Sequence, residues 1–169
     1  MLPKRFGKYG LTLHPEKTKL VRFNRPRLAS SGKGLDTQRG TPGSFDLLGF
    51  THLWSRSRRG NWVVRRKTAS SRFRRALKRI DDSCRQNYHL PIKEQCERLS
   101  QKLNGHYGYC GITGNSFAIA HFAWHVGRAW RRWLIRRSQR ARMSWTGFNR
   151  LLQRYKLPPP RCVHSILAT

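Results

Sequence analysis

Guanidinium and ammonium groups dominate the chemistry open to this chain. There are 36 Lys and Arg against 7 Asp and Glu, a net charge of +29 over 169 residues. Arg56, Arg58 and Arg59 lie in one Gly- and Ser-containing stretch, with Arg65, Arg66 and Lys67 just beyond. Arg72, Arg74, Arg75, Lys78 and Arg79 crowd the next segment. Wound as a helix, residues 116–140 gather Phe117, His121, Trp124, His125, Arg128, Arg131, Arg132 and Arg136 on one face. Each cation alone is ordinary solvated charge, but so many with so few acids between them form an electrostatic track. Arg outnumbers Lys, which favours planar, bidentate contact with phosphate. Aromatics interleaved with cations add surfaces on which bases stack. A polyanion, and nucleic acid first, is the expected partner, although charge alone carries no base-specific reading.

Other chemistries are poorly supplied. Phosphoryl transfer and hydrolysis draw on clustered carboxylates, and the chain has Glu16, Asp36, Asp46, Asp81, Asp82, Glu94 and Glu97. Asp81 and Asp82 are adjacent on a helical segment and point roughly 100° apart, so they make no shared metal site. Cys84, Cys96, Cys110 and Cys162 include no C-x-x-C pair, and His121 with His125 lacks the glutamate of a zincin motif. No Walker or G-x-S-x-G pattern occurs. No metal or cofactor is expected on this chain alone.

The elements that must position these residues change character along the chain. TKLVRF (18–23) is a strand-like run, and the Gly-, Ser- and Pro-rich stretch 24–44 reads as a long loop. FDLLGFTHLW (45–54) and WVVRRK (62–67) read as a hairpin about the basic turn. From Ser70 the period becomes helical: Phe73, Leu77, Ile80, Cys84 and Tyr88 share a face, with Ser70 or Ser71 as N-cap. Pro91 opens a second helix through Ile92, Cys96, Leu99, Leu103 and Tyr107, which Asn104-Gly105 is expected to close. A third runs to about Arg140, burying Ile119, Phe122, Ala123, Val126, Trp130, Trp133 and Leu134. A short fourth, capped by Ser144, carries Trp145, Phe148, Leu152 and Tyr155 inward. The expected fold is α+β, a small antiparallel β hairpin or meander over 1–68 followed by an antiparallel three- to four-helix bundle over 69–157, with a tail at 158–169. No apolar run approaches membrane-spanning length, and the first residues lack the apolar segment of a signal peptide. A cytoplasmic location, in a bacterial cytosol or an organelle matrix, is expected, with no membrane partner.

GLTLHPEKTKLVRF (10–23), FDLLGFTH (45–52), LNGHYGYCGI (103–112) and LPPPRCVHS (157–165), in that order, resemble the carboxy-terminal part of a group II intron reverse transcriptase/maturase. The resemblance implies that residues 1–68 are the end of a palm with a primer-grip-like hairpin. Residues 70–157 then correspond to the thumb, or maturase X domain. It further implies an RNA partner, either intron RNA or a template-primer, and Lys17 as a candidate proton donor beside departing pyrophosphate. The palm block bearing the catalytic aspartates and a Cys-rich endonuclease segment have no counterpart here, so the chain reads as a fragment. Its expected role is RNA binding without catalysis. The alternatives are a split polymerase completed by a separate palm polypeptide, with Mg2+ bound only there, and a free-standing RNA chaperone.

No primer extension is expected from this chain alone with magnesium or manganese. If a separate palm fragment restores extension, Lys17→Ala should slow it without greatly weakening RNA binding. Robust extension by the purified chain, free of contaminating polymerase, would contradict the non-catalytic reading.

Overall fold

A computed structural model describes residues 2–14, 18, 21–26, 43–138 and 142–164. The fold is α+β. A short helix, Leu2–Gly7 (α1), precedes three strands, Phe45–Leu47 (β1), Phe50–Arg56 (β2) and Trp62–Thr68 (β3). Four helices follow: Ser70–Asn87 (α2), Ile92–Cys110 (α3), Ser116–Ile135 (α4) and Trp145–Arg154 (α5). The strands form one antiparallel sheet in the order β1-β2-β3. The third strand is not TKLVRF, because Thr18 and residues 21–23 are outside any strand. It comes from within 45–54, which breaks at Leu48 and Gly49. Both have positive φ, 50° and 80°, the backbone that a two-residue hairpin demands.

The chain divides into two compact units that interleave in sequence, 1–45 with 53–63 and 46–52 with 64–169. In the first, Phe23 stacks on Trp54 at 5.2 Å between ring centroids and meets Phe45 edge-on at 4.9 Å. Gly43 allows a close backbone approach there, since a Cβ would sit 2.6 Å from the Arg22 carbonyl oxygen.

The second unit holds the core. Ring contacts pair Phe73 with His121 and Phe122, and Tyr88 with Trp133, so α2 and α4 run in the same direction. His106 meets Phe122 and Gln95 meets Trp130, so α3 runs against them. Ile80, Leu99, Leu103, Tyr107, Ile119, Phe122, Val126, Trp130, Leu134 and Phe148 fill the centre. The expected inward face of the third helix is the one observed.

Helix ends differ from expectation where burial overrides local signals. Helix α3 continues through Asn104-Gly105 to Cys110, because the apolar stripe Leu99, Leu103, Tyr107, Cys110 stays buried. Gly105 and Gly108 face open space, at roughly 1 kcal/mol of propensity each. Helix α4 stops at Ile135, not near Arg140. Ala69, not Ser70 or Ser71, is the N-cap of α2; it is buried, and its N–H donates to the Gly49 carbonyl at 3.0 Å. Ser144 caps α5 as expected, accepting from the Gly147 N–H. Beyond α5, the N–H groups of Val163 and His164 both donate to the Gly111 carbonyl, at 2.7 and 2.8 Å. Gly111 permits this approach, because a Cβ would lie 3.0 Å from Val163 N.

Asn115 fastens β3 to the bundle. Its Oδ1 accepts from the Thr68 N–H at 3.0 Å, and its Nδ2 donates to Thr68 Oγ1 and the Cys110 carbonyl, both at 2.8 Å. All of these groups are buried, so truncation strands them without partners. Asn115→Ala should lower unfolding free energy by about 2–4 kcal/mol in urea titration. A loss below about 0.5 kcal/mol would show that the junction is not held this way.

Candidate nucleic-acid interface

The outward face of α4 carries an aromatic ladder. Phe117 and Trp124 are 75% and 53% exposed, large fractions for such residues. His121 stands between them, with ring centroids 6.0 Å from Phe117 and 6.1 Å from Trp124 and planes nearly parallel to both. His121 and His125 bring their Nε2 atoms to 3.1 Å, a hydrogen bond that requires one to donate and the other to accept. Burial, then the neighbouring His121 and Arg128, holds His125 below its ordinary pKa.

Arginines lie on tryptophans along the same helix and beside it. The Arg128 guanidinium is 4.6 Å from the Trp124 ring centroid, Arg136 is 4.8 Å from Trp133, and Arg131 is 4.4 Å from Trp145 of α5. Such stacking costs the cation little of its charge and fixes the plane that it offers. Between α2, α4 and the start of α5 is a cleft of about 770 Å3, lined by Lys78, Arg128, Arg131, Arg132 and Arg136 with Asp81 as its one acid.

The sequence-expected residues divide accordingly. Trp124, Arg128 and Arg136 are exposed and hold no ion pair among the described residues. Two others are engaged within the protein, contrary to a uniformly free face. Arg132 pairs with Asp81, and Arg131 donates to the Met143 carbonyl while resting on Trp145. Asp81 is the one acid lining the α4 cleft, and Met143 lies just before α5, whose first residue, Trp145, lines the same cleft. Arg72 and Arg75 line a separate cleft. Arg65 donates from Nε to the Gly114 carbonyl at 3.1 Å, while Arg66 and Lys67 also lie on β3. Arg56, over the Trp62 ring at 5.2 Å, belongs with Arg58 and Arg59 to the other compact unit. Lys17 lies outside the described residues.

Sequence reasoning missed Trp145 as a platform for Arg131 and Lys78 as a member of the α4 cleft, since neither contact follows from a local spacing. The thiols of Cys84, Cys96 and Cys110 are pushed up by burial, Cys84 to about 12. No group of three or more His, Cys, Asp or Glu side chains among the described residues could hold a metal ion. No helix among them is long and apolar enough to cross a membrane. Comparison with family models, curated proteins and solved structures finds no match to the chain.

Asp81 is the acid that tempers this surface. Burial by itself would raise its carboxyl, but hydrogen bonds from Trp133 and Arg132 and the charges of Arg132 and Arg136 bring it below the ordinary 3.8. A carboxyl depressed on folding stabilises the native state above its unfolded pKa and loses that contribution as pH falls through the folded value. Asp81→Asn should therefore be less stable than the parent near neutrality, by no more than about 1 kcal/mol for a pair this exposed. The gap should close in strong acid, as followed by denaturant titration across pH. A difference that persists unchanged below the depressed value would exclude the ion pair as its source.

Proposed function

We propose that this chain is an RNA-binding module of the group II intron maturase kind, its helices acting as a thumb that grips structured RNA. In this role it promotes intron splicing or holds a template-primer, and it does no chemistry alone. The observation that carries the reading is the outer face of α4. There exposed Trp124 lies under Arg128 and beside His121, next to a cleft with five cations and one carboxylate. Exposed aromatic planes are suited to unstacked bases, and arginines already oriented on rings are suited to phosphate oxygens. The order of a small sheet followed by a basic bundle agrees with what the sequence resemblance implies. The net charge of +29 supplies the long-range attraction.

Binding to a structured RNA should fall steeply with salt, because displaced counterions drive it. Arg128→Ala, Arg131→Ala and Arg136→Ala together should reduce the slope of log K against log salt by about 2–3. Trp124→Ala should instead weaken binding by about 1–3 kcal/mol with the slope unchanged. Filter binding across a salt series distinguishes these effects. Unchanged affinity and slope in both variants would rule out α4 as the contact surface.

A further inference from the structure

A second basic cleft lies between α2 and α3 and shares no lining residue with the α4 cleft. Arg72, Arg75 and Arg79 recur at helical spacing on α2, and Lys102 with His106 does so on α3, so two helix faces converge on one space. That space measures about 390 Å3; Ala76 and the ring of His106 give it an apolar floor, with the buried Ile80 and Phe122 beneath them. Its lining includes four cations and no carboxylate, and neither ion pair among the described residues involves any of them. Crowding like charges in this way opposes folding unless an anion offsets it.

Two features set this cleft apart from a solvated charged face. Arg72 is held in place: its guanidinium lies 3.9 Å from the Tyr109 ring centroid, and its side chain passes where a Cβ on Gly49 would be, 2.5 Å from its Cδ. Its charge is therefore oriented before any ligand arrives, which lowers the ordering cost of binding. His106 lies flat on Phe122, with centroids 3.7 Å apart and planes 14° from parallel. Burial and the nearby Arg72 push its pKa down to about 4, so at neutral pH the ring adds an uncharged aromatic surface and no further repulsion.

We propose that the cleft between α2 and α3 binds a phosphorylated nucleoside, its phosphate on Arg72, Arg75, Arg79 and Lys102 and its base against the ring of His106. A bare anion would need the cations but not the floor, and an apolar ligand would need the floor but not the cations. The volume falls within the range of small-ligand sites. The nucleotide is either a free ribonucleoside monophosphate or one residue of a single-stranded RNA, since the chemistry of the site is the same for both. This site stands independently of the α4 reading.

The test titrates the full chain with adenosine 5′-monophosphate, inorganic phosphate and a short single-stranded RNA, following His106 and Phe122 resonances by NMR. Removing three phosphate contacts in Arg75→Ala/Arg79→Ala/Lys102→Ala should weaken binding at least about ten-fold. Arg128→Ala/Arg136→Ala should leave binding of the monophosphate unchanged. Loss with the monophosphate assigns a free nucleotide, and loss with the RNA alone assigns a residue of a strand. Thermal melting checks folding, and relief of repulsion should leave the triple variant at least as stable as the parent. If that variant fails to fold, Arg75→Lys/Arg79→Lys replaces it, with a smaller loss expected. Binding of both probes unchanged by the substitutions, or inorganic phosphate competing as well as the monophosphate, would overturn the proposal.

Discussion

Trp130 donates its indole N–H to Gln95 Oε1 at 2.9 Å in the middle of the bundle, and the geometry of the second unit depends on that contact. The Gln95 amide nitrogen donates in turn to the carbonyls of Tyr88 and Leu90, at 3.0 and 2.8 Å, where α2 gives way to α3. A buried amide is costly unless its groups are paired, and here the oxygen and nitrogen both are. The network joins the α2–α3 turn to α4 and fixes the rotation of α4 about its own axis. With Trp130 pointing inward, Arg128 and Arg136 are turned towards solvent. One polar contact in the core thus sets the direction of cations on the surface.

A chain with so large a positive charge can fold because its cations are sorted. Asp81 neutralises one arginine, aromatic rings support Arg128, Arg131 and Arg136, and a backbone carbonyl takes a hydrogen bond from Arg131. The apolar residues between them, such as Val126 and Leu134, are fully or almost fully buried. Apolar burial supplies the stabilisation and the surface bears the repulsion, which leaves unpaired cations for an anionic partner.

Periodicity made much of this readable in advance. The stripe from Ile119 to Leu134 and the cap at Ser144 are local signals: the stripe is the buried face of α4, although that helix ends earlier than expected, and Ser144 caps α5. The signals that misled were local as well. Asn104-Gly105 has the composition of a helix stop, but Tyr107 and Cys110 gain more by burial than the glycines cost. Leu48 gives no hint that it adopts positive φ, so a turn was hidden inside what reads as one strand. The basic face of α4 was legible from spacing. The partners that orient its arginines were not, because Asp81 and Met143 reach them from other parts of the chain.

The shared direction of α2 and α4 has an electrostatic consequence of its own. Aligned peptide dipoles leave partial negative charge at the carboxy-terminal end of each helix, and these two ends lie on the same side of the bundle. Arg132 and Arg136 sit at that end of α4, and Arg85 lies in the last turn of α2. Each such placement is worth about 0.3–1 kcal/mol on an exposed helix. The backbone therefore acts as a diffuse counterion for the densest arginines without occupying the side-chain donors that a phosphate would meet.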